Sequence, residues 1–353
     1  MYQYNVHDIA KLRSAVRLHE LEYFLCNSVS NPDVVIDVAD SFGSGLSVSR
    51  SLIADDVPKK NKVKYTEHLG PLGAQFAIDF SYPLTITVNN LISRSRHVLY
   101  VNLVEPIMRF IMISKGYVLL HSACMSLDGQ GILLSAPPDT GKTTTVLKCV
   151  NDGFSFLSDD MTIIRLPDTA MCFPKPMTVS AHTLRTAVNV SNNKLDGVGL
   201  KLRSLVHSKG GRGLMRKLGK FNMPIFTINT VGQSIVKPPK FSIENLLKNV
   251  SILDKTKVTG LYFLQRGGEE TINLYNGIAT KRAIENSDDA FLFPPYKEML
   301  QYININGKSA HDLLEEEREI LEKFLCNINC AILKSESRSW DQMVNRIAYG
   351  NLA

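Results

Sequence analysis

The chain has 353 residues, 44% hydrophobic and 21% charged, with a formal net charge of +6, a balance ordinary for a soluble globular protein. No stretch reaches the roughly 18 uncharged apolar residues of a membrane span; the nearest, Val98 to Ile113, is interrupted by Glu105, Pro106 and Arg109. The first residues, MYQYNVHDIAKLR, lack the apolar core of a signal peptide, so a cytoplasmic location is expected.

The length allows one large domain or two smaller ones. Composition and motif placement divide the chain into an N-terminal α/β region over 1–97, a nucleotide-binding core over 98–290 and a C-terminal helical region over 291–353. The six cysteines form no Cys-x-x-Cys pair. Cys326 and Cys330 sit four apart on an expected helix, but no second pair or nearby histidine completes a zinc set, so ordinary thiols are expected.

In chain order, Val6 to Ser28 carries helix-like stretches, and Asp33 to Ala39 reads as a strand between turn residues. Ser41 to Ser51 is rich in Gly and Ser and reads as a loop. It is a weak rival for a phosphate loop, because no Lys-Thr or helix follows it. Phe76 to Asn89 reads as two strands broken at Tyr82-Pro83, where proline has no N–H to donate. A helix is expected over Val104 to Ser114, ended by Gly116. Tyr117 to Leu120 follows as a strand that delivers His121, and a further strand leads across the Leu127-Asp128-Gly129 turn.

The centre of the chain is the stretch Gly131 to Asp160. An apolar strand, Gly131 to Leu134, runs into the turn Ala136-Pro137-Pro138-Asp139-Thr140, and a helix opens at Gly141-Lys142-Thr143-Thr144. Backbone N–H groups at such a helix start, with the helix dipole, surround a polyphosphate. Lys142 would reach the β- and γ-phosphates of ATP, and the Thr143 hydroxyl would sit on Mg²⁺. A second strand, Phe154 to Leu157, ends in Ser158-Asp159-Asp160 and places carboxylates where a metal–nucleotide site needs them. The pattern departs from the usual loop at Ala136, which stands where a first Gly is expected. A methyl fits there as long as φ is not positive.

The segment Gly116 to Arg165, with YVLLHSA, LDGQ, GILLSAPPDTGKTTT and FLSDD in order, resembles the HPr kinase and ATP-dependent phosphoenolpyruvate carboxykinase superfamily. Phe173-Pro174-Lys175-Pro176 also resembles a segment after the metal strand in HPr-kinase-like proteins. The resemblance implies an α/β, P-loop-containing core with a mixed sheet. It implies that one of Asp159 and Asp160 binds Mg²⁺, that a carboxylate there acts as general base, and that His121 lies nearby. It does not divide the roles between the two. Asp139 stands where these families usually have a third Gly, and neither the carboxykinase arginines for oxaloacetate nor the HPr kinase C-terminal signature is found.

Lys201 to Lys220 is basic without an acid, and Asp196 to Gly232 is glycine-rich; a mobile loop able to meet an anionic acceptor is expected there, and nucleic acid is not, since aromatic interleaving is poor. Val258 to Gln265 and Thr271 to Tyr275 read as strands joined in a hairpin through Arg266-Gly267-Gly268, with Arg266 in solvent. The last 65 residues read as helical: a capping box at Ser309 and Asp312, a helix with a solvated acidic face from Glu315 to Glu319, and a final helix near Trp340 to Ile347 that packs on the body or on another subunit. The expected activity is ATP-dependent phosphoryl transfer to a hydroxyl of a small molecule or a protein serine. The alternatives are a carboxykinase-like enzyme and a nucleotide sensor without turnover.

Overall fold

The computed structural model describes residues 1–40, 50–54, 62–69, 72–137, 140–179, 183, 224–235, 240–291 and 296–350. The expectations placed on 41–49, on Pro138 and Asp139 and on the basic stretch 201–220 lie outside these residues. The chain is α/β with mixed sheets, in two compact units, each drawn from three stretches. Met1–Lys115, Val198–Pro238 and Phe291–Leu314 form the first; Gly116–Gly197, Pro239–Ala290 and Glu315–Ala353 form the second. The partition expected at 97/98 and 290/291 follows chain order, whereas these units take strands and helices from distant segments, which leave no local mark in a sequence.

In the first unit, eight strands form one sheet in the order β3-β1-β2-β4-β8-β7-β6-β5. They are β1 (Tyr2–Val6), β2 (Ala10–Ser14), β3 (Leu25–Cys26), β4 (Val34–Ala39), β5 (Arg50–Ala54), β6 (Lys62–Leu69), β7 (Leu72–Asp79) and β8 (Leu84–Asn89). The helices expected over Val6 to Ser28 are instead an antiparallel hairpin and a 3-10 turn, His19–Phe24. Tyr4, Val6, Ala10, Leu12 and Ser14 are buried at period two, a strand signature, and His7 and Asp8 adopt positive φ of 52° and 59° to turn the chain. The expected loop over Ser41 to Ser51 ends in strand β5, so Arg50 and Ser51 are corrected to strand.

The expected helix before Gly116 is longer than read, running over Arg96–Ser114 (α1). Its stretch Tyr100–Val104 is wound as a π-helix just ahead of Pro106, whose ring and missing N–H disturb the regular ladder. By length and composition α1 alone among the described helices could cross a membrane, and 83% of its apolar window is buried inside the protein. Arg109 within it is fully buried and lies 4.8 Å from the centre of the Phe291 ring. The end of the stretch expected as loop to Gly232 is helix α2, Ile225–Ile235. Buried Glu67 accepts from the Thr227 N–H near its start, and Thr227 Oγ1 donates to the Glu67 carbonyl at 2.9 Å.

The second unit holds a nine-stranded mixed sheet. Its strands are β9 (Tyr117–Leu120), β10 (Ala123–Leu127), β11 (Gln130–Ser135), β12 (Ser155–Ser158), β13 (Thr162–Arg165), β14 (Thr169–Met171), β15 (Lys255–Gln265), β16 (Glu270–Asn273) and β17 (Asn329–Lys334). The path runs β12-β10-β11-β15-β14-β13-β9, with β17 parallel to β15 and β16 antiparallel to β17. Helix α3 (Lys142–Asn151) follows β11, and α4 (Asn276–Ala290) follows β16. Further on, α5 (Ala310–Leu325) precedes β17 and α6 (Trp340–Ala348) follows it.

Two readings change here. The expected hairpin through Arg266-Gly267-Gly268 does not pair its own arms, because β17 inserts between β15 and β16. The C-terminal stretch is therefore not all helix. Ala331, Ile332 and Leu333 are buried in the sheet, and Cys330 is on strand β17 while Cys326 follows α5, so the two do not share a helical face. Glu317, inside the acidic run expected to be solvated, is buried. The capping box holds: Asp312 Oδ2 accepts from the Ser309 N–H at 2.9 Å, and Ser309 Oγ accepts from the Asp312 N–H at 3.3 Å.

Trp340, the only tryptophan in the chain, is fully buried at the start of α6, and its indole N–H donates to the Leu333 carbonyl at 3.0 Å. Trp340→Ala removes both the packing and that bond. It should cost about 3–5 kcal/mol in urea unfolding followed by circular dichroism; a loss below about 1 kcal/mol would show that the ring contributes little to the unit.

Candidate functional site

The site is assembled at the start of α3 and at the ends of β9 and β12. Strand β11 is buried from Gly131 to Ser135 and gives way to Ala136, whose methyl is buried and whose φ is not positive. That is the condition under which alanine can stand in for glycine. Pro137 is exposed, and its carbonyl accepts from Thr140 Oγ1 at 2.8 Å, tightening the turn. Gly141, the residue before the helix, has φ of 134°, a conformation that L side chains rarely adopt. A Cβ there would also meet the Trp340 ring at 3.0 Å, so two independent constraints require glycine.

Lys142 and Thr143 open the helix side by side. Lys142 Nζ is inaccessible to solvent and has no hydrogen-bond partner among the described residues. Thr143 Oγ1 donates to Asp159 Oδ2 at 2.9 Å, while Asp159 Oδ1 is buried and without a partner among the described residues. Thr144 points elsewhere, its Oγ1 donating to Thr183 Oγ1 at 3.4 Å.

Asp160, the next residue, has a half-exposed side chain and two basic neighbours. Lys175 Nζ lies 2.7 Å from its Oδ2 and His121 Nε2 lies 3.4 Å from its Oδ1. His121 emerges at the end of β9 as expected, though β9 pairs with β13 and not with the β10–β11 hairpin. Its ring is fixed by a 2.8 Å contact between Nδ1 and the Asn286 carbonyl. A carbonyl can only accept, so Nδ1 carries a proton and Nε2 faces Asp160. Asn286 Nδ2 donates to Ser135 Oγ at 3.0 Å, and Ser135 Oγ donates to the His121 carbonyl at 3.2 Å, joining α4, β11 and β9 behind the site.

The two carboxylates are driven apart electrostatically. Burial pushes Asp159 up to about 6, against the pull of the Lys142 ammonium. For Asp160 burial acts in the same upward sense, yet Lys175 and then His121 overcome it and hold the carboxyl well below the usual range. Burial also lowers Lys142, with Asp160 and Asp159 opposing.

No protein-family model matches this chain, and no curated protein matches its sequence. The site therefore rests on geometry. Of the residues singled out from sequence, His121, Lys142, Thr143, Asp159 and Asp160 come together; Ala136, Pro137, Thr140 and Gly141 shape the turn, and Thr144 faces away. Among the described residues no group of three or more His, Cys, Asp or Glu is placed to hold a metal; Thr143 and Asp159 are the paired oxygen donors that could contribute to one.

Sequence reasoning noted Lys175 only within a motif, and gave no role to Asn286 or Ser135. Lys175 is buried, and its segment is tied to the sheet by a bond from the Phe173 N–H to the Leu157 carbonyl at 3.0 Å. A lysine between two prolines next to an apolar pair was the available signal, since such a residue has little freedom to turn to solvent.

The split fixes a pH dependence. A raised carboxyl pKa means the folded state holds the proton more tightly than the unfolded chain, so the contribution of Asp159 is complete below about 4 and is lost as pH rises through about 6. Asp160 acts oppositely: its contribution is present above about 4 and lost as pH falls through its depressed value. Carboxyl NMR titration of the metal-free protein should show Asp159 protonating near 6 with Asp160 still ionised. The reverse order would overturn this electrostatic picture.

Proposed function

We propose that the second unit binds ATP with Mg²⁺ and transfers the γ-phosphoryl group to an acceptor hydroxyl, in the manner of the HPr-kinase-like proteins that the segment Gly116 to Arg165 resembles. The observation that carries this reading is the pair of buried, unpartnered polar atoms at one helix start, Lys142 Nζ and Asp159 Oδ1. Such groups are costly to bury unless something meets them. A phosphate suits the ammonium and the helix N–H groups, and a cation suits the carboxylate oxygen.

Mg²⁺ fits a sparse donor set of this kind, because it is usually held by one or two carboxylates together with phosphate oxygens and waters. Thr143 and Asp159 would hold it, and it would supply neutralisation of phosphate charge. Gly141 and the α3 N–H groups would cradle the phosphates with Lys142. Asp160, ionised and half-exposed, would receive the acceptor proton as the new O–P bond forms and the bond to the β-phosphate oxygen breaks, with ADP leaving. Lys175 and His121 would keep its two oxygens in place. The resemblance left the two aspartates undivided; here their surroundings support Asp159 for the metal and Asp160 for the proton.

The test uses γ-labelled ATP with Mg²⁺ and cell extract divided into small-molecule and protein fractions. Label should move into one fraction. Lys142→Ala should abolish both binding and transfer, whereas Asp160→Asn should keep ATP affinity within about threefold and lose transfer by at least about 100-fold, the range of general-base catalysis. Tight ATP binding with no transfer to either fraction would select a nucleotide sensor instead.

A further inference from the structure

The strand that sequence reading missed, β17, ends in the loop Ser335–Ser339, and this loop carries one arginine, Arg338. Parallel strands β11, β15 and β17 lie side by side, so the turn before α3 and the loop after β17 both leave carboxyl ends of one parallel set. Ligands of α/β sheets bind at such ends. The loop is firmly built. Ser339 N–H donates to Ser335 Oγ at 3.1 Å, Ser337 and Ser339 hydroxyls reach Glu269 Oε1 at 3.4 and 3.1 Å, and the Ser335 N–H donates to the Gln265 carbonyl at 3.1 Å.

Within this scaffold Arg338 stands apart. It is exposed, makes no hydrogen bond or ion pair among the described residues, and does not pair with Glu336 two residues away or with nearby Glu269. Its φ is +61°, a left-handed conformation uncommon for a residue with a long side chain. Its Cδ lies 4.0 Å from the position a Cβ would take on Gly141, the residue that opens the phosphate-side helix. An unpartnered guanidinium presented on a rigid loop beside a helix start that also carries the unpartnered Lys142 ammonium is suited to a multiply charged anion.

We propose that Arg338 is a second phosphate-binding cation of this site, contacting the polyphosphate of the bound nucleotide from the loop after β17. The inference rests on the nucleotide-binding reading above. Guanidinium chemistry directed at phosphate does not need the base or ribose, and this separates it from a contact to the nucleoside.

The experiment is calorimetric titration of the full chain with two probes, Mg·ATP and Mg·tripolyphosphate. Arg338→Gly is the informative variant, because glycine accepts the left-handed backbone and leaves the fold at least as stable in thermal denaturation. It should weaken both probes about tenfold or more, a loss expected of a charge-assisted contact. Arg338→Lys should recover part of it. Arg318→Ala, on an exposed face of α5, should bind both as the unaltered protein does. Arg338→Gly with undiminished affinity for both probes, while Lys142→Ala loses them, overturns this inference and leaves the nucleotide reading standing. Loss confined to Mg·ATP also overturns it, since the contact would then be to the nucleoside. Failure of the unaltered protein to bind either probe sinks the nucleotide reading, and this inference with it.

Discussion

The second unit is organised around an electrostatic burden: an ammonium and a carboxylate oxygen, Lys142 Nζ and Asp159 Oδ1, both removed from water and neither hydrogen-bonded among the described residues. Desolvating such groups costs several kcal/mol each even after relaxation. A free helix would roll to expose its lysine. Helix α3 cannot, because Val146, Leu147 and Val150 on it are buried in the unit. Helix α6 fixes it from another side, with Lys148 paired to Asp341 at 3.2 Å and Asn345 Nδ2 donating to Asp152 Oδ2 at 3.1 Å. Trp340 against Gly141 closes the remaining freedom at the helix start. The unmet charge is maintained by ordinary packing elsewhere.

Strand β15 is the second element that makes the arrangement possible. Its first residues pair antiparallel with β14, while its parallel partners β11 and β17 flank the rest. The antiparallel side, through β14, β13 and β9, brings His121 and the segment holding Lys175 to the site. The parallel partners, β11 on one edge and β17 on the other, supply the turn before α3 and the loop after β17. One strand of eleven residues thereby joins the segments that carry His121 and Lys175 to those that carry Lys142 and Arg338. The reading of phosphoryl transfer draws on both.

The parts legible from sequence share a property: their signals are local. The apolar run of β11, the Asp159-Asp160 pair just past β12 and the capping box at Ser309 are each written within a few residues. What was not legible depends on distant partners. Cys330 to Leu333 is a short apolar run beside a long amphipathic helix, and helical periodicity upstream drew it into the wrong class. Its strand character comes from β15 and β16, remote in the chain. The same holds for the β1–β2 hairpin, where Leu12 and Val6 are core only because the sheet provides a face. Lys175 reaches Asp160 because Phe173 is tied to Leu157, a tertiary bond that no spacing rule announces.

Asp159 and Asp160 are adjacent, chemically identical and differently fated, and the cause lies in what each meets just past the end of β12. The pair lies in the bend just past β12, and there it divides between the interior and the solvent, Asp159 buried and Asp160 half-exposed. For the inward member burial outweighs the pull of the Lys142 ammonium and the Thr143 hydroxyl and raises its proton affinity; for the outward member Lys175 and His121 outweigh burial and lower it. A carboxylate that is dry and incompletely bonded is the better place for a metal ion, since binding one relieves its desolvation. A carboxylate that is wet, ionised and held at both oxygens is the better place for an incoming hydroxyl, since it is accessible and does not need to move. The proposed division of roles thus rests on the different surroundings of one repeated residue.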